Sequence, residues 1–211
     1  MKKRHPIHAL RAYYQIEKFG KNGKKKTPRY KSKSFVHAFL KLLFMRMSKI
    51  DVDVIDTSNN TETLFSTAAN ILNINSRDGG GYYAIDSESS GSSGLGYSHS
   101  SGIVLGTDST AVQVTDYKLW GHIIEGTDTG ELEHFGQHFT STEVSGSNAY
   151  FNVERIFRNG SGATIYIQEI GLYSLSSTLT QFCLVRDVVS PSVAVDDGEY
   201  LKVLYKIQVT A

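Results

Sequence analysis

Apolar and polar positions alternate with a period of two near both ends of the chain. At the start, Leu10, Ala12, Tyr14 and Ile16 alternate with Arg11, Tyr13, Gln15 and Glu17. At the end, Leu201, Val203, Tyr205, Ile207 and Val209 alternate with Tyr200, Lys202, Leu204, Lys206 and Gln208. Successive strand side chains point to opposite faces, so each run predicts a strand with one face on a core. Further strands are predicted at Ile103–Leu105, Leu132–Thr142, Tyr150–Arg158, Thr164–Glu169 and Thr180–Val185. Asn159-Gly160-Ser161-Gly162 reads as a turn, and Asp196-Asp197-Gly198-Glu199 as the hairpin turn before the last strand. Gly20-Lys21-Asn22-Gly23 predicts a hairpin whose second strand, Lys24–Ser32, is confined to a sheet edge by Pro28.

The period changes after Ser34. Val36, Phe39, Leu40, Leu43 and Met47 recur at helical spacing, with Phe35, Leu42 and Phe44 widening the apolar face. His37, Lys41 and Arg46 supply the polar side. This predicts an amphipathic helix over Ser34–Ser48, N-capped by Ser32 or Ser34 and docked on the β-domain or on a neighbour. Asp51–Glu62 reads as an acidic linker. Gly79–Gly81 and Gly91–Gly96 flank a Ser-rich stretch, Ser87–Ser101, and predict long loops with a short strand at Tyr82–Ile85. Thr115-Asp116 is expected to cap one helical turn reaching Trp120.

The fold expected is mainly β: an antiparallel β-sandwich, jelly-roll-like, with an N-terminal hairpin and one amphipathic helix. Three regions follow. Residues 1–49 form a basic arm (hairpin plus helix 34–48), 50–101 an acidic linker with Gly/Ser-rich loops, and 102–211 the sandwich.

Charge sharpens that division. Residues 1–49 hold fifteen of the 22 Lys and Arg and one acid, Glu17, a balance of +14. Residues 50–211 hold the other seven bases and 20 acids, a balance of −13. Opposite-sign segments attract each other or copies of themselves, which suits assembly better than catalysis. The single Cys183 excludes an internal disulfide and reads as a buried core thiol. No run is long and apolar enough for a membrane span, and no secretory signal pattern follows Lys2-Lys3-Arg4.

Three pieces of the C-terminal half carry a resemblance. They are Ile103-Val-Leu-Gly-Thr-Asp-Ser-Thr-Ala111 with Thr115-Asp-Tyr-Lys-Leu119, then Ile167-Gln-Glu-Ile-Gly-Leu-Tyr173, then Leu184-Val-Arg-Asp187 with Ser190-Pro191 and Gly198–Val209. In this order they resemble tail-associated β-domains of tailed phages and related viruses, although Asp108 stands where those domains usually have Gly. Ser32–Leu43 is similar to the helix ahead of such domains. The resemblance implies a non-enzymatic virion component that binds copies of itself and other virion proteins, and tail, neck or baseplate is the location expected. It implies particle assembly in the host cytoplasm. It brings no catalytic residue, metal or cofactor. A capsid-accessory (decoration) protein and a carbohydrate-binding adhesion domain are the alternatives.

Candidate residues fall into two sets. Lys24, Lys25, Lys26, Arg29, Tyr30, Lys31 and Lys33, with Phe35, Phe39 and Leu43, are expected to grip a neighbouring subunit. The seven basic residues of Lys21–Lys33 also suit nucleic acid, but an acidic protein surface is preferred. In the β-domain, Glu169 and Arg186 are charges beside apolar runs, expected to form a partly buried pair fixing register. Gly171 is expected to permit a close approach or a bulge, and Trp120 to pack in the core or an interface. Other constellations fail on spacing. His134 and His138 on one strand share a face about 13 Å apart, too far for one metal. Asp51, Asp53, Asp56, Asn59, Asn60 and Glu62 lack the central Gly of a calcium loop. No phosphate-binding loop or Gly-x-Ser-x-Gly elbow occurs.

Overall fold

The computed structural model describes residues 9–20, 23–32, 34–65, 101–175 and 180–210. The predicted loops at 79–100, the strand at 82–85, the turn residues Lys21 and Asn22, and Lys33 lie outside them. The fold is mainly β, with antiparallel sheets in a β-sandwich-like arrangement and one helix.

The larger sheet runs β2 (Gly23–Lys26), β1 (Ala9–Gly20), β12 (Tyr200–Thr210), β9 (Asn148–Arg158), β7 (Glu133–Phe139). The short β3 (Tyr30–Lys31) also pairs with β1, and β8 (Glu143–Ser145) with β9. β1 and β12 pair along their length, from Ala9 opposite Thr210 to Phe19 opposite Tyr200. The alternation read from the sequence sets this register: Ala12, Tyr14 and Ile16 are buried beside Leu201, Val203 and Tyr205. Ion pairs link neighbouring strands of this sheet, including Lys202 of β12 with Glu154 of β9 at 2.5 Å and Arg158 of β9 with Glu133 of β7 at 2.8 Å.

This pairing places the described strands of the predicted basic arm in the same sheet as the last strand. The first strand is an interior strand of the large sheet, because its apolar face matches that of the last strand. The basic arm is therefore not a separable extension.

The smaller sheet runs β11 (Gln181–Val195), β10 (Ile165–Leu175), β6 (Gly102–Gly106). β6 is buried along its length, as a short, uninterrupted apolar run requires. β11 is much longer than predicted. It absorbs extra residues through register shifts, one between the pairs Ile167–Val193 and Glu169–Val188 that contains the cis bond Ser190–Pro191. Cys183 is buried, and burial raises its thiol pKa.

The helix, α1, spans His37–Ser48, three residues shorter at its start than predicted. Neither serine caps it. Val36 is the N-cap, without a side-chain bond, and the His37 N–H donates to the Val114 carbonyl at 2.8 Å. Ser34 instead accepts the Arg186 N–H on its carbonyl (3.1 Å), while Val36 donates to Leu184 (3.0 Å). The segment ahead of α1 thus extends the edge of β11.

The inward face of α1 also differs. Ala38, Leu42 and Met45 are buried, whereas Leu40 (61 % exposed), Phe44 (50 %) and Met47 (79 %) point away. The apolar positions circle the helix too widely for their period to select one face.

The predicted acidic linker is a hairpin, β4 (Val52–Ile55) with β5 (Thr61–Leu64), packed against α1. Val54 and Leu64 are buried. Asp56 closes its turn, accepting the N–H groups of Ser58 (2.9 Å) and Asn60 (2.7 Å) on one carboxylate oxygen. Residues 115–120 form no helical turn and remain part of an irregular connection.

Deleting residues 1–20 is expected to abolish cooperative unfolding and to cause aggregation, since β12 would lose one of its two partners and expose a sheet edge. Circular dichroism and size-exclusion chromatography check this. A soluble, cooperatively unfolding 21–211 fragment would show that β1 is dispensable.

Candidate functional site

Two charged residues on adjacent strands organise the loop joining β6 to β7. By register Arg186 of β11 lies opposite Gly171 of β10, two residues from Glu169 on the same face. Its Nε donates to Glu169 Oε2 at 2.8 Å, and both side chains are fully buried. The structure thus brings together Glu169 and Arg186, and the pair lies deeper than partial burial. Arg186 Nη1 also reaches Asp116 Oδ2 at 2.9 Å, and Nη2 donates to the Thr110 carbonyl at 2.9 Å, with Asp108 at 3.6 Å. Burial pulls the guanidinium pKa down, but the contacts to Glu169 and Asp116 outweigh it and raise it overall.

Glu169 has a second task. Its Oε1 accepts the Gly121 N–H at 2.6 Å, and its Oε2 the Trp120 N–H at 3.3 Å. The Leu119 N–H donates to the Tyr173 hydroxyl at 2.5 Å. The 107–121 loop therefore satisfies its backbone donors on groups presented by β10.

Glycines make the room. An added Cβ at Gly171 would lie 2.5 Å from Leu119 Cδ1 and 2.8 Å from the Val185 carbonyl. One at Gly106 would collide with the Glu169 carboxylate. Gly171 therefore permits a close approach of the loop. Trp120 is neither in the core nor at the register position: its backbone binds Glu169, but its side chain is 45 % exposed.

A second buried arginine, Arg155 of β9, was not singled out in the sequence. Its Nε donates to the Phe135 carbonyl, and its Nη1 to those of Ser101 and Ile103, each at 2.9 Å. It links the large sheet to β6. Burial pulls its pKa down to about 10, opposed by Glu125. The signal was available: Phe151, Val153, Arg155 and Phe157 share one period-two face, so Arg155 falls on the core side.

The arm residues divide. Lys24, Lys25 and Lys26 are exposed on β2, at the edge of the large sheet. Lys24 and Lys26 share Glu17, at 2.9 and 2.8 Å, and these bonds hold its carboxyl pKa at about 2. Part of the basic run is thus matched within its own hairpin. Arg29 is exposed, and Lys33 lies outside the described residues. Tyr30 stacks on Tyr14, with ring centroids 5.3 Å apart. Phe35 and Phe39 pack on each other at 4.4 Å and against the core, and Leu43 is half-buried.

A cleft of about 670 Å³ opens where the chain crosses between the sheets, lined by Tyr14, Tyr30, Lys31, Phe35, Gln113 and Asp187 among others. Asp187 accepts the Tyr205 hydroxyl at 3.2 Å. Burial, then the charge of Asp187, pushes the Tyr14 pKa up to about 12.

His134 and His138 do not share a face. A bulge between His134 and Gln137 reverses the alternation, leaving His134 buried against Phe157 and His138 exposed. Among the described residues, no group of three or more His, Cys, Asp or Glu side chains is placed to hold a metal ion. No helix among them is long and apolar enough to cross a membrane.

The chain matches no protein-family model, no curated protein and no solved structure.

Two substitutions probe these charges. Glu169→Leu strands a buried guanidinium and is expected to destabilise the fold by about 3–5 kcal/mol, read from urea unfolding. Glu17→Gln is expected to cost less than about 1 kcal/mol at pH 7, because its lysines are exposed. The depressed Glu17 pKa stabilises the fold fully above about 4.5, and this contribution fades as pH falls toward about 2. The Glu17→Gln difference should therefore vanish near pH 2.

Proposed function

We propose that this chain is a non-enzymatic structural component of a tailed-virus particle, joining copies of itself and other virion proteins in the tail, neck or baseplate. The observation that carries this reading is the outward face of α1. Leu40, Phe44 and Met47, at i, i+4 and i+7, form one exposed apolar stripe that continues to Ile50 (56 % exposed). The opposite face of the helix is already buried. An apolar stripe turned to water on an otherwise docked helix is the mark of a contact surface.

Its charge setting indicates the neighbour. Arg46 and the C-cap Lys49 add positive charge to the last turn of α1, the Lys41 ammonium is bonded to the Asp53 carbonyl at 2.6 Å, and α1 contains no acid. Two α1 helices face to face would bring like charges together. An acid-flanked apolar surface on a neighbouring subunit fits instead, with burial contributing most of the free energy and charge setting orientation. The ordered resemblance of Ile103–Ala111, Ile167–Tyr173 and Leu184–Asp187 to tail-associated domains supports the particle context.

Replacing Leu40 and Phe44 together by Ser is expected to leave the unfolding midpoint nearly unchanged and to weaken subunit association about tenfold or more. Light scattering on the purified chain and electron cryo-microscopy of particles carrying the variant read the two effects. Full incorporation of the doubly substituted chain, or particles that never contain the wild type, would overturn the reading.

A further inference from the structure

The 107–121 loop presents a second surface, independent of α1. Leu119 points inward, buried over Gly171, so its neighbours Lys118 and Trp120 turn outward. The Trp120 indole meets the Tyr117 ring edge-on, at 5.6 Å between centroids and 73° between planes. The two rings form a corner from which the Trp120 side chain stays 45 % exposed. The Lys118 ammonium lies 5.1 Å from the Trp120 centroid and 5.7 Å from that of Tyr117.

We propose that the Tyr117–Lys118–Trp120 corner binds a pyranose ring of a neutral saccharide. A pyranose presents a flat C–H flank and a rim of hydroxyls. The exposed indole offers apolar surface for the flank, and the Lys118 ammonium, which stands over the ring in the free chain, offers a mobile polar partner for the hydroxyls. The loop is preorganised, because the N–H groups of Leu119, Trp120 and Gly121 are already bonded to Tyr173 and Glu169. Binding then requires little further ordering of the chain.

Charge disfavours an anionic ligand. Beneath the corner, Glu169, Asp116 and Asp108 face the single Arg186, an excess of negative charge that one lysine does not reverse. A polyanion, whether acidic glycan or nucleic acid, meets an unfavourable local field.

Trp120 is the only tryptophan of the chain, so fluorescence excited selectively at tryptophan, away from the twelve tyrosines, reports this corner alone. The full chain is titrated with a panel of neutral hexopyranose oligosaccharides, with polygalacturonate and a single-stranded oligonucleotide as the charged comparison. Saturable quenching by at least one neutral oligosaccharide is expected, changing less than twofold between about 0.05 and 0.5 M salt. Tyr117→Ala should weaken it about tenfold. Trp120→Ala, followed by nuclear magnetic resonance shifts of Lys118, should abolish it while circular dichroism stays unchanged. The proposal fails if no neutral oligosaccharide binds at about 10 mM. It fails equally if binding survives both substitutions, or if only the polyanions bind with a steep salt dependence.

Discussion

The buried contact between Arg186 and Glu169 is the constraint on which the outer layer of the molecule depends. Two full charges withdrawn from water are costly unless every lone pair and donor finds a partner. Here the remaining partners come from the 107–121 loop: the Asp116 carboxylate, the Thr110 carbonyl and the N–H groups of Trp120 and Gly121. The loop satisfies the pair, and the pair holds the loop. A fifteen-residue connection without regular structure thereby acquires a set shape. Gly106 and Gly171 belong to the same device, since a side chain at either would displace the carboxylate or the loop.

The two arginines do related work at different depths. Arg186 ties β11 and β10 to the loop. Arg155 ties β9 to β6 through carbonyl oxygens, joining the large sheet to the small one. Tyr205 and Tyr14 add hydroxyl bonds from the large sheet to Asp187 and to the Val188 carbonyl of β11. Polar groups therefore set how the sheets meet, while a continuous apolar cluster between them supplies most of the driving force.

The division of charge takes on a different meaning in the fold. The basic front end is woven into the large sheet, and Glu17 and Glu199 pair with three of its lysines. Among the described residues, the apolar outer face of α1 and the Trp120 side chain on the loop are two surfaces that stay exposed. We propose a protein neighbour for the first and a saccharide for the second.

Strand periodicity was legible because alternation is local: β1 and β12 can be read from their own residues, and so can their buried faces. The charged pair could be suspected from Glu169 and Arg186 beside apolar runs, and the Pro28 edge from the missing N–H donor. Register shifts were not legible. The bulge that separates His134 from His138 depends on which strand lies opposite, not on the residues themselves. The same holds for α1, whose apolar positions extend around much of its circumference, so that β11 and the β4–β5 hairpin selected the buried side. The sequence by itself determined the strands at both ends of the chain and which of their faces avoid water, because those follow from spacing of two. Only the tertiary structure decided that the first strand joins the last, that Trp120 faces outward, and that the loop rests on Glu169, because each requires a partner far away in the chain.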